Sequence, residues 1–254
     1  MIRCAITGAA DGIGRALALR FGRAGFQVHG VDVDAERSER TRGELEALGV
    51  SASFTVADLG TEDGLTRAAE GLAGERPLDV LIHNAGINAV GRFAEADLDL
   101  QRTLLRINLL APMVLTAGLL AGERIARGGT IVFLSSLSHF VGYPGAAAYA
   151  ASKDGLASYA RSLRVALAPR DVNVLTVYPG PTRTEHARRH SPPGASEAKR
   201  MPPEELADRI YKAVRARRRT LIPGAANRLF AVLGHVAPGV TERALRKAIF
   251  EKLP

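Results

Sequence analysis

The chain has 254 residues, 46% of them hydrophobic, enough to bury a sizeable core in one α/β domain. The single cysteine, Cys4, excludes an internal disulfide and is expected to be a buried, inert thiol of a cytoplasmic protein. The net charge of +8 is uneven: residues 1–182 hold 18 basic and 19 acidic residues (−1), residues 183–254 hold 16 and 7 (+9). Nucleic acid, an anionic membrane surface or an anionic substrate could use that excess, and so could solvent alone. With no zinc spacing and no aromatic-rich basic patch, neither a metal site nor a nucleic-acid module is expected. No stretch is read as approaching the roughly 20 apolar residues of a spanning helix. The N-terminus lacks the long apolar region and cleavage site of a signal peptide.

In chain order, short β-branched runs predict strands at 2–7 (IRCAIT), 26–32 (FQVHGVD), 51–57, 78–83 (LDVLIH), 129–135 (GTIVFLS), 172–178 (VNVLTVY) and 219–222. Between them, helical periodicity predicts helices at 12–24, 35–48, 61–73, 97–123, 147–168 and 203–217. This alternation implies βαβ units: a single-domain, doubly wound α/β fold, a parallel sheet of about seven strands with helices on both faces. Residues 1–224 form that domain. The Pro/Gly-rich segment within it, 179–203, reads as an ordered loop. Residues 225–254 read as an amphipathic extension.

The first strand runs into TGAADGIG, Thr7 to Gly14. Glycines between a strand and a helix let the backbone approach a pyrophosphate, on which the helix N-terminus directs its free N–H groups. Asp32 ends the second strand, 18 residues beyond Gly14. A carboxylate there can accept hydrogen bonds from ribose hydroxyls and repels a 2′-phosphate, which favours NAD over NADP. Capping a turn with Asp34 is the simpler role.

In order, TGAADGIG, Asp32, HNAG (His83 to Gly86), Asn108, Ser136, YAASK (Tyr149 to Lys153) and PGPTRT (Pro179 to Thr184) make the chain resemble the short-chain dehydrogenase/reductase family from residue 2 to about 222. Ser136 precedes Tyr149 by 13 residues, the family spacing. The resemblance implies an NAD-dependent oxidoreductase acting on an alcohol or ketone. It assigns Tyr149 as general acid/base, Ser136 as the group that polarises the substrate oxygen, and Asn108 as anchor of a water linking Lys153 to solvent. Lys153, one helical turn after Tyr149, would hydrogen-bond the nicotinamide ribose and lower the phenol pKa, a shift of ~3 units needing about 4 kcal/mol. Implied cofactor contacts are Thr7, Gly8, Asp11, Gly12, Ile13, Gly14, Asp32, Asp58, Leu59, Asn84, Ala85, Gly86, Tyr149, Lys153, Pro179, Gly180, Thr182 and Thr184. His83, where the family usually has Asn, and Thr182, where it has Val or Ile, depart from the pattern. No metal is required.

Substrate contacts are expected from Ser136, Ser138, His139, Phe140, Tyr143 and Tyr149, with NAVGRF (88–93) and the basic loop 181–203, including Arg183, Arg188 and Arg189, as further candidates. In the tail, Leu229, Phe230, Val232, Leu233 and Val236 form one apolar stripe, and Leu245, Ala248, Ile249 and Leu253 a second. Packing on the enzyme's own body or on a second subunit is expected over membrane association. A hydrophobic substrate is therefore expected. By resemblance, helices 97–123 and 147–168 would join subunits in a homodimer or homotetramer. An NADP-dependent reductase of 3-oxoacyl thioesters and a non-catalytic dinucleotide sensor are the alternatives.

Overall fold

The computed structural model describes residues 2–74, 76–189, 197, 200–248 and 250–252. Seven strands form one parallel sheet: β1 (Ile2–Thr7), β2 (Phe26–Asp32), β3 (Ala52–Val56), β4 (Leu78–His83), β5 (Ile125–Leu134), β6 (Asn173–Val177) and β7 (Thr220–Leu221). Their order is β3-β2-β1-β4-β5-β6-β7. The chain leaves β1 for β2 on one side and returns to β4 on the other. The crevice outside the carboxyl ends of β1 and β4 is where such sheets bind ligands. The near-continuous apolar runs of the central strands follow from burial on both faces.

The helices are α1 (Gly12–Arg23), α2 (Ala35–Ala47), α3 (Glu62–Ala73), α4 (Leu98–Leu105), α5 (Ala111–Ala121), α6 (Ala147–Leu167), α7 (Glu185–Arg189), α8 (Pro203–Arg215), α9 (Ala225–Val236) and α10 (Pro238–Ala248). Side-chain caps set two starts: Asp34 accepts from Arg37 N at 2.9 Å, and Thr61 accepts from Gly64 N at 3.0 Å. One face of the sheet packs on α1 and α8 through Leu17, Phe21, Leu206 and Ile210. The other packs on α3, α5 and α6 through Leu72, Leu115, Leu119 and Leu156.

A π-helical turn, Arg106–Leu110, joins α4 to α5. Such turns cluster at functional sites, and this one carries Asn108 at its middle. The joined helix Leu98–Ala121 corrects the expectation that no stretch approaches a membrane span: its length and mean hydropathy of 1.8 would suffice. One face of it, however, holds Ala111, Leu115 and Leu119 in the core. Its other face leaves Leu98, Leu105, Leu110 and Val114 exposed.

Candidate active site

The turn after β1 is built around two glycines. Gly8 has φ +66°, and a Cβ there would stand 2.8 Å from the Ala85 Cα. A Cβ at Gly14 would stand 1.8 Å from the Gly8 carbonyl oxygen, so only glycine lets α1 start this close to β1. Thr7 Oγ1 accepts from the backbone N–H groups of Asn84 and Ala85, both at 3.1 Å. The Asn84 amide donates back to the carbonyls of Thr7 (3.1 Å) and Gly8 (2.9 Å). Thr7, Gly14 and Asn84 thus tie the glycine turn to the end of β4. Asp11 precedes α1 without capping it, and no acidic residue occupies the first turn. The first N–H groups and the positive end of the helix dipole stay available to an anion.

Gly8, Asp11, Gly12, Ile13, Asp32, Asp58, Leu59, Asn84, Ala85, Gly86 and Thr184 line one cleft. Its remaining walls are Val31, Val33, Ala57, Ile87 and Ile107, which motif reading missed although each directly flanks a motif or another lining residue. The pattern fits a dinucleotide: a glycine turn at one end, a carboxylate beside it and apolar strand ends between. Asp32 Oδ2 accepts from Ala10 N at 2.9 Å and Oδ1 from Asp34 N at 3.1 Å, so Asp32 faces the cleft and also holds its own turn. Both nearby arginines are engaged by carboxylates. Arg15 pairs with Glu44, and Arg37 pairs with Asp11 (3.0 Å), Asp34 (3.4 Å) and Glu185 (3.1 Å). The Glu185 pair and the Thr184 methyl, 3.1 Å from a Cβ built at Gly12, bring α7 over the glycine turn.

None of the four expected catalytic residues lines this cleft; they gather beyond its Gly86 wall. Asn108 is fully buried. Its Oδ1 accepts from Ile87 N at 2.8 Å, and its Nδ2 donates to Ile87 O (2.9 Å) and Ser152 Oγ (3.1 Å). The Asn108 side chain therefore locks the loop after β4 to α6. Ser136, two residues past β5, lies beside the Tyr149 phenol and draws its pKa down. Lys153 is buried; its Nζ donates to the Leu134 carbonyl at 2.9 Å and lies 5.7 Å from the Tyr149 ring centroid. Asn108 Oδ1 and Lys153 Nζ lie 3.1 and 3.3 Å from a Cβ built at Gly86, which places both beside the cleft.

The resemblance implies that Lys153, with a nicotinamide cation nearby, lowers the Tyr149 phenol pKa. Burial pushes it up to about 12, opposed by the neighbouring Ser136 and reinforced by Tyr143. The ammonium is directed at the Leu134 carbonyl, and burial lowers Lys153 itself from 10.5 to about 8. Keeping a charged lysine here costs stability. Lys153→Met should abolish turnover yet raise stability at pH 7 by about 2 kcal/mol: roughly 3 from the relieved shift, less about 1 for the lost hydrogen bond. That is about 4–8 °C in Tm. Between pH 8 and 10.5 the unfolded chain binds more protons at Lys153 than the folded one. Wild-type stability therefore gains from this group as pH rises through that window, and the advantage of the variant shrinks. Thermal scans of both proteins from pH 7 to 10 check the sign.

His83 turns away from the cleft. It stacks on Phe133, with centroids 5.0 Å apart, and pairs with Thr116 Oγ1 at 2.9 Å. Burial lowers it to about 3, so it packs as a neutral ring.

The segment after Ser136, expected to meet substrate, is aromatic. His139 stacks on Tyr178 at 5.1 Å and pairs with Asp154 at 3.0 Å; Phe140 packs on both rings. Tyr178 was not anticipated, although it directly precedes the PG motif. Tyr143 meets Tyr149 edge-on at 6.3 Å. Ser138 N donates to Ser136 Oγ at 3.2 Å, and the Ser138 hydroxyl is buried with no partner among the described residues. Pro179 O accepts from Leu137 N at 3.0 Å, which joins the Ser136 turn to the PG turn. Thr182 is buried and donates to Gly180 O at 3.1 Å, a turn-holding role. Of the basic loop, Arg189 pairs with Glu185 and Arg188 with Glu197 at 3.4 Å; residues 190–196, 198 and 199 lie outside the described residues. The tail closes this side. A Cβ at Gly180 would meet the Asn227 amide at 2.6 Å, and one at Gly234 would meet the Phe140 carbonyl oxygen at 2.2 Å.

The comparisons agree with this geometry. The family model for short chain dehydrogenases matches residues 3–193. A 1-deoxy-11-beta-hydroxypentalenate dehydrogenase of Streptomyces exfoliatus is 34% identical over 215 residues, covering 82% of this chain and 78% of the relative. A cyclopentanol dehydrogenase of Comamonas sp. is 31% identical over 176 residues, covering 69% and 70%. A short-chain dehydrogenase from Sphingobium yanoikuyae, solved in complex with NADPH, superimposes with a TM-score of 0.80 at 25% identity over 100% of this chain and 97% of its own. The chain belongs to the short-chain dehydrogenase/reductase family and is an oxidoreductase with that family's nicotinamide dinucleotide cleft.

Proposed function

We propose that the enzyme interconverts an apolar secondary alcohol and its ketone, with NAD preferred to NADP. The observation that carries the chemistry is the placement of buried Lys153, its Nζ 5.7 Å from the Tyr149 ring centroid and 3.3 Å from a Cβ built at Gly86 in the cleft wall, with Ser136 beside the same phenol. A nicotinamide dinucleotide bound there supplies the hydride donor or acceptor. Ser136 and Tyr149 together hold the substrate oxygen. Tyr149, kept protonated by burial, donates its proton to the oxygen as a carbonyl is reduced, and takes it back in the reverse direction. Lys153 and Asn108 border the reacting end, and Asn108 keeps the Ile87 backbone in place. The aromatic wall of Phe140, Tyr143 and Tyr178 supports an apolar substrate, and the unpaired Ser138 hydroxyl supports one polar contact to it. Relatives that are named for a cyclic alcohol and a hydroxylated acid support the same class.

Asp32 supports the preference for NAD, because Arg15 and Arg37 beside it are already held by carboxylates. Titration followed by NADH and NADPH fluorescence should show NADH tighter by about tenfold or more, about 1.4 kcal/mol. Asp32→Ser should remove most of that difference. Tighter NADPH binding by the native enzyme would reverse the assignment. A second subunit supports itself on the exposed apolar row Leu98, Leu105, Leu110 and Val114 together with Val165 of α6. Sedimentation velocity should show a dimer or tetramer; a monomer would remove that part of the proposal.

A further inference from the structure

α9 packs on the body through its small face. Ala231 and Gly234 are buried, while Leu229, Val232, Leu233 and Val236 are 62%, 57%, 44% and 75% exposed. Of the expected stripe only Phe230 is half-buried, so four of its five residues do not pack on the protein's own body, one of the two expected fates. Four large apolar side chains point to solvent along one face of a helix that carries no acidic residue. Val240 of α10, 66% exposed, extends the patch. Arg228 on α9 and Arg243, Arg246 and Lys247 on α10 are exposed as well, as is Glu242. Ile249 and Leu253 of the second expected stripe lie outside the described residues, and Leu245 is half-buried.

We propose that this α9–α10 face docks on an anionic lipid surface. Exposed apolar helix faces are uncommon on proteins without a binding role, and a basic border selects among their occupants. From 225 to 252 the sequence has five Lys or Arg and two Glu, and Glu251 already pairs with Arg246 at 3.3 Å. Two copies of the chain meeting through this face would bring like charges together. Anionic headgroups complement the basic border and receive the apolar residues between its cations. The same helix seats against Phe140 and over Gly180, so docking would set the substrate wall against the bilayer.

The test is co-sedimentation of the full-length protein with vesicles of phosphatidylcholine alone or mixed equally with phosphatidylglycerol. Binding should be at least about tenfold stronger to the anionic vesicles and should fall severalfold between low and high salt. The triple variant Leu229→Ser, Val232→Ser, Val236→Ser should lose about tenfold or more, since the apolar area drives insertion. The double variant Arg243→Glu, Lys247→Glu leaves α9 untouched and should lose anionic selectivity, which keeps the test open if the triple variant misfolds. NADH binding checks that each variant is folded. Equal binding to neutral and anionic vesicles, or none to either, overturns the proposal. So does a triple variant that still binds vesicles but changes oligomeric state, because a second copy of the chain then covers this face.

Discussion

Tyr149→Phe should lower kcat/KM by about 10²–10⁴-fold while NADH affinity stays within about threefold. The change removes one oxygen. The ring keeps its edge contact with Tyr143 and its place on α6, so packing offers no reason for a large loss. What disappears is the phenol proton exchanged between Tyr149 and the substrate oxygen. Dinucleotide affinity should persist because Gly8, Asp32 and Asn84, which line the cleft, are untouched. Steady-state kinetics paired with NADH fluorescence separates the two effects. A variant that keeps native turnover would assign the proton to another group. Native protein that binds dinucleotide yet turns over no alcohol or ketone would favour a sensor.

Gly14→Ala should cost at least about 2 kcal/mol of stability and more than about tenfold in dinucleotide affinity. The added Cβ would stand 1.8 Å from the Gly8 carbonyl oxygen and 2.6 Å from the Asn84 amide nitrogen. Neither neighbour can move freely. Gly8 is held at φ +66°, and the Asn84 amide bridges Thr7 and Gly8. Relief requires α1 to retreat from β1, which opens the turn that receives the phosphates. Gly43 supplies the control. It lies inside α2, and a Cβ built there meets nothing within 4 Å, so Gly43→Ala should instead stabilise by about 0.5–1 kcal/mol. Thermal unfolding and NADH titration of both variants decide it. Equal effects at the two positions would mean that the close approach at Gly14 is not limiting.

The strands and the principal helices were legible in the chain itself. Their limits fall within a few residues of those read from periodicity, because apolar spacing within one element dictates which face it must bury. The cleft was legible for a related reason. Gly8, Gly12 and Asp32 act through backbone geometry and charge at the ends of adjacent strands, and strand ends follow from local pattern. Long-range packing decided the rest. Asn108 lies in a π turn whose side-chain bonds go to Ile87 and Ser152, 21 and 44 residues away. The Lys153 ammonium meets the Leu134 carbonyl at the carboxyl end of β5, so its charge and the Tyr149 proton depend on burial that no i,i+4 spacing reveals. The tail shows the limit most plainly. Periodicity found its apolar stripe, but Gly234, the residue small enough to seat α9 against Phe140, determined which side faced the body. Amphipathic spacing says that one face of a helix is apolar; only shape complementarity with the rest of the fold selects the face that is buried.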